Sequence, residues 1–190
     1  MAELFLITGG SRSGKSAHAQ RLAESLPGPR AYLATCPVID AETAARVKLH
    51  REARSASRWE TIEEPLDLAG AVSRAAAYRV LLVDCLTLWV SNLQYEAERR
   101  GERFTEESAA GCCRALIEAC EAFSGTVVFV TDEVGMGIVP ENAAARLFRD
   151  CAGRINQMIA AAAVEVTLVV SGVPLRLKGK NADRPARNGR

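Results

Sequence analysis

Eight consecutive residues near the start of the chain, Gly9-Gly10-Ser11-Arg12-Ser13-Gly14-Lys15-Ser16, fit the spacing G-x-x-x-x-G-K-[ST]. They follow an apolar stretch and open a helix-forming one, the context in which that spacing has chemical meaning. Glycines let successive backbone N–H groups turn inward onto phosphate oxygens, and the start of a helix adds partial positive charge. In such a loop Lys15 reaches the outer phosphates of a nucleoside triphosphate, and the Ser16 hydroxyl ligates Mg²⁺. A carboxylate at the end of a second strand should complete the magnesium shell. Val80-Leu-Leu-Val-Asp84 supplies Asp84 in that form, and the run ending Thr131-Asp132-Glu133 supplies a second pair of candidate acids.

His50 is the other residue whose surroundings suggest chemistry. Arg46 and Arg54 stand four residues before and after it, so on a helix all three share one face. Guanidinium groups beside an imidazole favour its neutral, nucleophilic form and bind phosphate bidentately. The combination suits phosphate binding or attack on phosphorus, while a solvent-facing histidine on a basic helix is the plainer alternative. His18, behind the phosphate loop, has no such setting and reads as structural.

The elements that must position these groups are legible as five short apolar runs, at residues 4–8, 31–34, 80–84, 127–132 and 166–171. They are continuous rather than alternating, as strands buried on both faces of a parallel sheet should be. Between them lie helix-forming stretches at residues 15–25, 41–55 (with Asp40 as N-cap), 68–77, 86–100, 106–123 and 141–163. This alternation predicts a doubly wound α/β domain over residues 1–177. A basic, mobile tail is expected over residues 178–190.

Composition narrows the function classes. The 190 residues carry 24 Lys+Arg and 23 Asp+Glu, 48% hydrophobic and 25% charged, which is a globular mixture. Residues 1–175 alone hold 18 basic and 22 acidic side chains, so no bulk positive charge favours nucleic acid. No apolar run approaches the roughly 20 residues of a membrane span, and the N-terminus lacks a basic signal-peptide region, so a cytoplasmic protein is expected. Six cysteines without C-x-x-C spacing, and only two histidines, point to reduced structural thiols rather than a zinc site.

These segments together resemble the bifunctional adenosylcobinamide kinase/adenosylcobinamide-phosphate guanylyltransferase family over about residues 4–178. The resemblance is carried by the phosphate loop, Tyr32-Leu-Ala-Thr35, His50-Arg-Glu-Ala-Arg54 with Trp59-Glu-Thr-Ile-Glu-Glu-Pro65, Val83-Asp-Cys-Leu-Thr87 and Ser91-Asn-Leu93. Thr131-Asp-Glu-Val-Gly-Met-Gly-Ile-Val-Pro-Glu-Asn142, Gly153-Arg-Ile-Asn-Gln157 and Val169-Val-Ser-Gly172 extend it. The resemblance implies a RecA-like P-loop fold, mostly parallel with helices on both faces, and a homotrimer. It implies phosphorylation of adenosylcobinamide by ATP or GTP, then transfer of GMP from GTP to the adenosylcobinamide phosphate through a guanylyl-histidine at His50. Nucleotide contacts are implied for Gly9, Gly10, Ser11, Arg12, Ser13, Gly14, Lys15, Ser16, Ala34, Thr35, Cys36, Arg51, Glu52, Ala53, Arg54, Glu63 and Asp84. A P-loop small-molecule kinase without nucleotidyl transfer, or a RecA-like NTP-dependent regulatory or nucleic-acid module, are the competing readings.

Overall fold

A computed structural model describes residues 2–37 and 59–179. The expected helix at residues 41–55, and with it Arg46, His50 and Arg54, lies outside the described residues, as do residues 180–190.

All five expected strands form: β1 (Glu3–Gly9), β2 (Arg30–Ala34), β4 (Val80–Asp84), β5 (Thr126–Asp132) and β6 (Glu165–Val170). Two more, β3 (Trp59–Glu63) and β7 (Val173–Lys178), were not anticipated, and they are the two edges of one seven-stranded sheet ordered β3-β2-β4-β5-β1-β6-β7. Every pairing is parallel except β6 with β7. The reason for the omission is physical. Central strands are covered on both faces and read as unbroken apolar runs, whereas an edge strand mixes polar residues in. β7 is exposed along its whole length and carries Pro174, which an edge tolerates. It is reached through a two-residue turn, Ser171-Gly172, in which both residues have positive φ (51° and 82°), the geometry of a tight hairpin. β7 carries the sheet through Lys178, one residue past the expected domain edge.

Five α-helices are described: α1 (Lys15–Ser25), α2 (Leu68–Arg74), α3 (Leu86–Arg99), α4 (Glu106–Ala122) and α5 (Ala143–Ala162). α1 has the expected bounds. α2 stops three residues short of expectation, because Ala75 leaves the helix and turns toward β4. α5 begins at Ala143 rather than 141, since Asn142 is its cap and accepts from the N–H groups of Ala144 and Ala145 at 2.8 and 3.1 Å.

Strand alternation divides the core in two. Ile7, Leu82, Val128 and Val130 face α1, packing with its Ala19 and Ala23. Leu6, Leu81, Val83 and Phe129 face the other way, onto α2–α5. The first layer positions Asp84 and Asp132 on the α1 face by the same alternation, and the second puts Thr8, Thr131 and Glu133 on the α5 face. Trp89 is nearly wholly buried in the thicker layer, and its indole N–H donates to the Leu66 carbonyl at 2.8 Å. Trp89→Ala is expected to cost about 3–5 kcal/mol of stability, measured by urea unfolding; a loss below about 1 kcal/mol would contradict this packing.

Candidate active site

The sequence from β1 into α1 builds the loop without improvisation. β1 ends at Gly9, Gly14 takes the left-handed conformation (φ 91°) that starts α1, and Lys15 is the first helical residue. Glycine at position 9 is a packing demand: a Cβ there would fall 2.4 Å from the Val169 carbonyl oxygen and 2.6 Å from Ser13 Oγ. Gly10, by contrast, has open space on its Cβ side. The hairpin turn between β6 and β7 meets the loop, since the Gly172 N–H donates to the Ser13 carbonyl at 2.8 Å. Ser13 Oγ is the buried side-chain oxygen without a hydrogen-bond partner among the described residues, an unmet polar demand inside the loop.

Lys15 is buried, with its ammonium 2.5 Å from Asp132 Oδ1 and donating to the Gly10 carbonyl at 3.2 Å. Asp132, at the end of the strand beside β1, is therefore the carboxylate that neutralises the loop's lysine. Asp84 sits one strand further on, and its Oδ2 accepts from the Tyr32 hydroxyl at 3.0 Å. Cys85, next to it, senses the whole cluster. Burial pushes its thiol up to about 12, with Asp84 and Asp132 acting the same way and Lys15 opposing. That thiol stays protonated and is no nucleophile.

The remaining implied contacts gather at the carboxyl ends of β2 and β3. Ala34 ends β2 and Glu63 ends β3, in register with each other. Thr35 is fully buried and acts as a splice rather than a presented hydroxyl. Its Oγ1 donates to the Cys85 carbonyl at 2.8 Å and accepts from the Cys85 N–H at 2.7 Å. Cys36 is half-buried, its thiol 3.8 Å from the Pro37 carbonyl. Thus the loop residues, Ala34–Cys36, Glu63, Asp84 and Asp132 lie along one edge of the sheet, the carboxyl ends of its parallel strands. His50, Arg51, Glu52, Ala53 and Arg54 lie outside the described residues. His18 is half-buried on α1, its pKa lowered by burial and then by Arg21.

A polar chain on the α5 face was not foreseen. The Asp132 N–H donates to Thr87 Oγ1 (2.7 Å), which lies 3.3 Å from Thr131 Oγ1, which donates to Asn156 Oδ1 (2.7 Å). Since Thr131 has one hydroxyl proton and spends it on Asn156, Thr87 must be the donor between the two threonines. The Asn156 amide then donates to the Asp132 carbonyl (3.2 Å) and to Glu133 Oε1 (3.4 Å), which also accepts from Thr8 Oγ1 at 2.6 Å. The available signal was Asn156, a polar residue among the apolar positions of α5. All six cysteines are free, as the sequence suggested.

The residues present fit a nucleotide with Mg²⁺. Among the described residues no three acidic, thiol or imidazole groups converge on one point. Mg²⁺ bound to a triphosphate asks for less, one or two protein oxygens beside the phosphates. Ser16 and Asp84 are available on the α1 face for that role.

A profile of the family described as cobinamide kinase / cobinamide phosphate guanyltransferase (CobU) matches residues 5–177. The bifunctional adenosylcobalamin biosynthesis protein CobU of Salmonella typhimurium is 43% identical over 183 residues, spanning 92% of this chain and 99% of that protein. CobU of Escherichia coli K12 is 42% identical over 185 residues with the same coverage. The bifunctional adenosylcobalamin biosynthesis protein CobP of Pseudomonas aeruginosa is 42% identical over 179 residues, spanning 92% of this chain and 97% of its own. In fold, the chain is similar to an ATPase of the type III secretion system of pathogenic bacteria, with a TM-score of 0.56 at 13% identity. That match covers 87% of this chain, which spans about half (50%) of the ATPase.

The two loop glycines make a paired test of the geometry. Gly9→Ala should lower the melting temperature by several degrees and weaken nucleotide binding at least tenfold, because the clash at 2.4 Å is with backbone. Gly10→Ala should leave the melting temperature nearly unchanged. Equal behaviour of the two variants in thermal melts and nucleotide titration would show that the loop is packed differently.

Proposed function

The chain belongs to the cobinamide kinase / cobinamide phosphate guanyltransferase family, and from that membership we propose how its site divides two transfers between one loop and one histidine. It is a P-loop α/β transferase of cobalamin biosynthesis. In the first reaction a hydroxyl of adenosylcobinamide takes the terminal phosphoryl group of ATP or GTP. In the second, the neutral imidazole of His50 attacks the α-phosphorus of GTP. The α–β phosphoanhydride bond breaks and pyrophosphate leaves. The adenosylcobinamide phosphate then attacks the same phosphorus, the N–P bond breaks, and adenosylcobinamide-GDP forms with His50 restored.

The observation that carries this reading is the Gly9–Ser16 loop with Lys15 buried against Asp132 at the carboxyl edge of the sheet. An ammonium held there can be handed from carboxylate to phosphate without ever being left unpaired. Catalysis in both steps is largely positioning and charge stabilisation. Ser16, with Asp84 nearby, would hold Mg²⁺, which would neutralise part of the phosphate charge. Tyr32 fixes the Asp84 carboxylate through its 3.0 Å hydrogen bond. Ala34, Cys36 and Glu63 lie on the same edge, where a guanine nucleotide extending from the loop along the strand ends would meet them. The enzyme is proposed to work in the cytoplasm as a homotrimer. Among the described residues, no helix is long and apolar enough to cross a membrane.

Labelling with GTP radioactive at the α-phosphate tests the covalent step. The expected result is an acid-labile, alkali-stable adduct on the protein, absent in His50→Ala, which should retain phosphorylation of adenosylcobinamide. Lys15→Ala should lose both reactions by at least about 10²-fold, since both need the bound triphosphate. Unlabelled protein that still binds GTP would reduce the activity to the kinase alone, and parallel loss of both reactions in His50→Ala would make His50 a positioning residue.

A further inference from the structure

The two reactions differ in one chemical requirement. Phosphorylating a hydroxyl means removing its proton as the new P–O bond forms, whereas a phosphate monoester is already an anionic nucleophile. The kinase step therefore benefits from a base that the guanylyl step does not need. The base must stand at the phosphate loop without being consumed by the lysine there. Asp132 does not meet that condition, because it is 2.5 Å from the Lys15 ammonium.

Glu133 does. Its backbone N–H donates to the Gly9 carbonyl at 3.3 Å, fixing it beside the first residue of the loop. Its side chain lies on the opposite face from Asp132, and one oxygen, Oε1, is held by Thr8 (2.6 Å) and Asn156 (3.4 Å). Asn156 is buried, and its orientation is dictated by Thr131 and the Asp132 carbonyl, so the carboxylate is held by a fixed chain and not by a mobile side chain. The second oxygen, Oε2, makes no hydrogen bond among the described residues. Nearby in sequence on both elements, the α5 residues Gly153, Arg154 and Gln157, which flank Asn156, line a groove of about 540 Å³ together with Gly135, two residues beyond Glu133. A polar arm bearing a hydroxyl can enter there.

We infer that Glu133 is the general base of the kinase reaction, taking the acceptor from the α5 groove. Its Oε2 accepts the hydroxyl proton of the adenosylcobinamide arm. The hydroxyl oxygen bonds to the γ-phosphorus, the bond from that phosphorus to the β–γ bridging oxygen breaks, and the nucleoside diphosphate leaves. The proton then passes from Glu133 to solvent. This rests on the bifunctional reading above and goes beyond it by separating the two reactions at one residue.

The test measures both reactions in the full-length chain: phosphorylation of adenosylcobinamide by ATP or GTP, and guanylylation of preformed adenosylcobinamide phosphate by GTP. In Glu133→Gln the kinase kcat should fall about 10²–10⁴-fold with the nucleotide KM within about threefold of the unsubstituted protein. Guanylyl transfer then serves as the internal control for folding and GTP binding. Glu133→Asp, which keeps a carboxylate, should recover part of the kinase rate. Undiminished phosphorylation in Glu133→Gln, or loss of both reactions together in both variants, overturns the assignment. If the unsubstituted protein guanylylates but never phosphorylates, the functional reading itself fails, and this inference with it.

Discussion

A buried ammonium needs a counter-charge, and much of this molecule is arranged around that need. Lys15 is held out of solvent at the first turn of α1, where a lone charge would cost several kcal/mol. Asp132 supplies the opposite charge at 2.5 Å, and it can do so only because β5 lies directly beside β1 and in register with it, Gly9 opposite Asp132. The parallel pairing, the apolar run that makes β5 a central strand, and the loop that turns Lys15 back over the strand ends all serve one contact. The residues of that contact are also the ones a triphosphate would engage, so fold and chemistry share their constraint.

The loop is gripped from three sides, and each grip uses backbone rather than side chain. Gly9 lies too close to Val169 to carry a Cβ, the hairpin turn at Gly172 donates to Ser13, and Glu133 donates to Gly9. Backbone contacts of this kind hold a loop in shape before any ligand arrives, which lowers the ordering cost of binding. The antiparallel hairpin β6–β7 thereby acquires a role at the site: its tight turn brings Gly172 against the loop, while its outer strand merely closes the sheet.

The interior of this fold could be read from the sequence because burial on both faces writes itself as apolar runs. The five central strands and α1 appear where the sequence places them. The edges could not be read so easily, since Trp59–Glu63 and Val173–Lys178 alternate or mix residue types and are defined by what they pair with. The site shows the same division. The glycines, Lys15 and Asp84 have a spacing that carries its own chemistry. The Thr35 hydroxyl, by contrast, is spent across 50 residues on the Cys85 backbone, a bond that only the strand pairing reveals. The order of donors through Thr87, Thr131 and Asn156 is likewise invisible to any local pattern.

Adjacent acids at a strand's end make different use of the two faces, and this explains why Asp132 and Glu133 are not redundant. Alternation sends Asp132 to the α1 face, where it meets the lysine of the loop, and Glu133 to the α5 face, where Thr8 and Asn156 hold it. A slip of the strand that put Thr131 in the place of Asp132 would exchange the faces and leave the lysine opposite a neutral residue. Joining the two is Asn156, whose amide bonds the carbonyl of one and the carboxylate of the other. A single side chain on α5 thus ties the geometry of both acids to the thicker of the two core layers, and the position of the strand end becomes a consequence of how α5 packs.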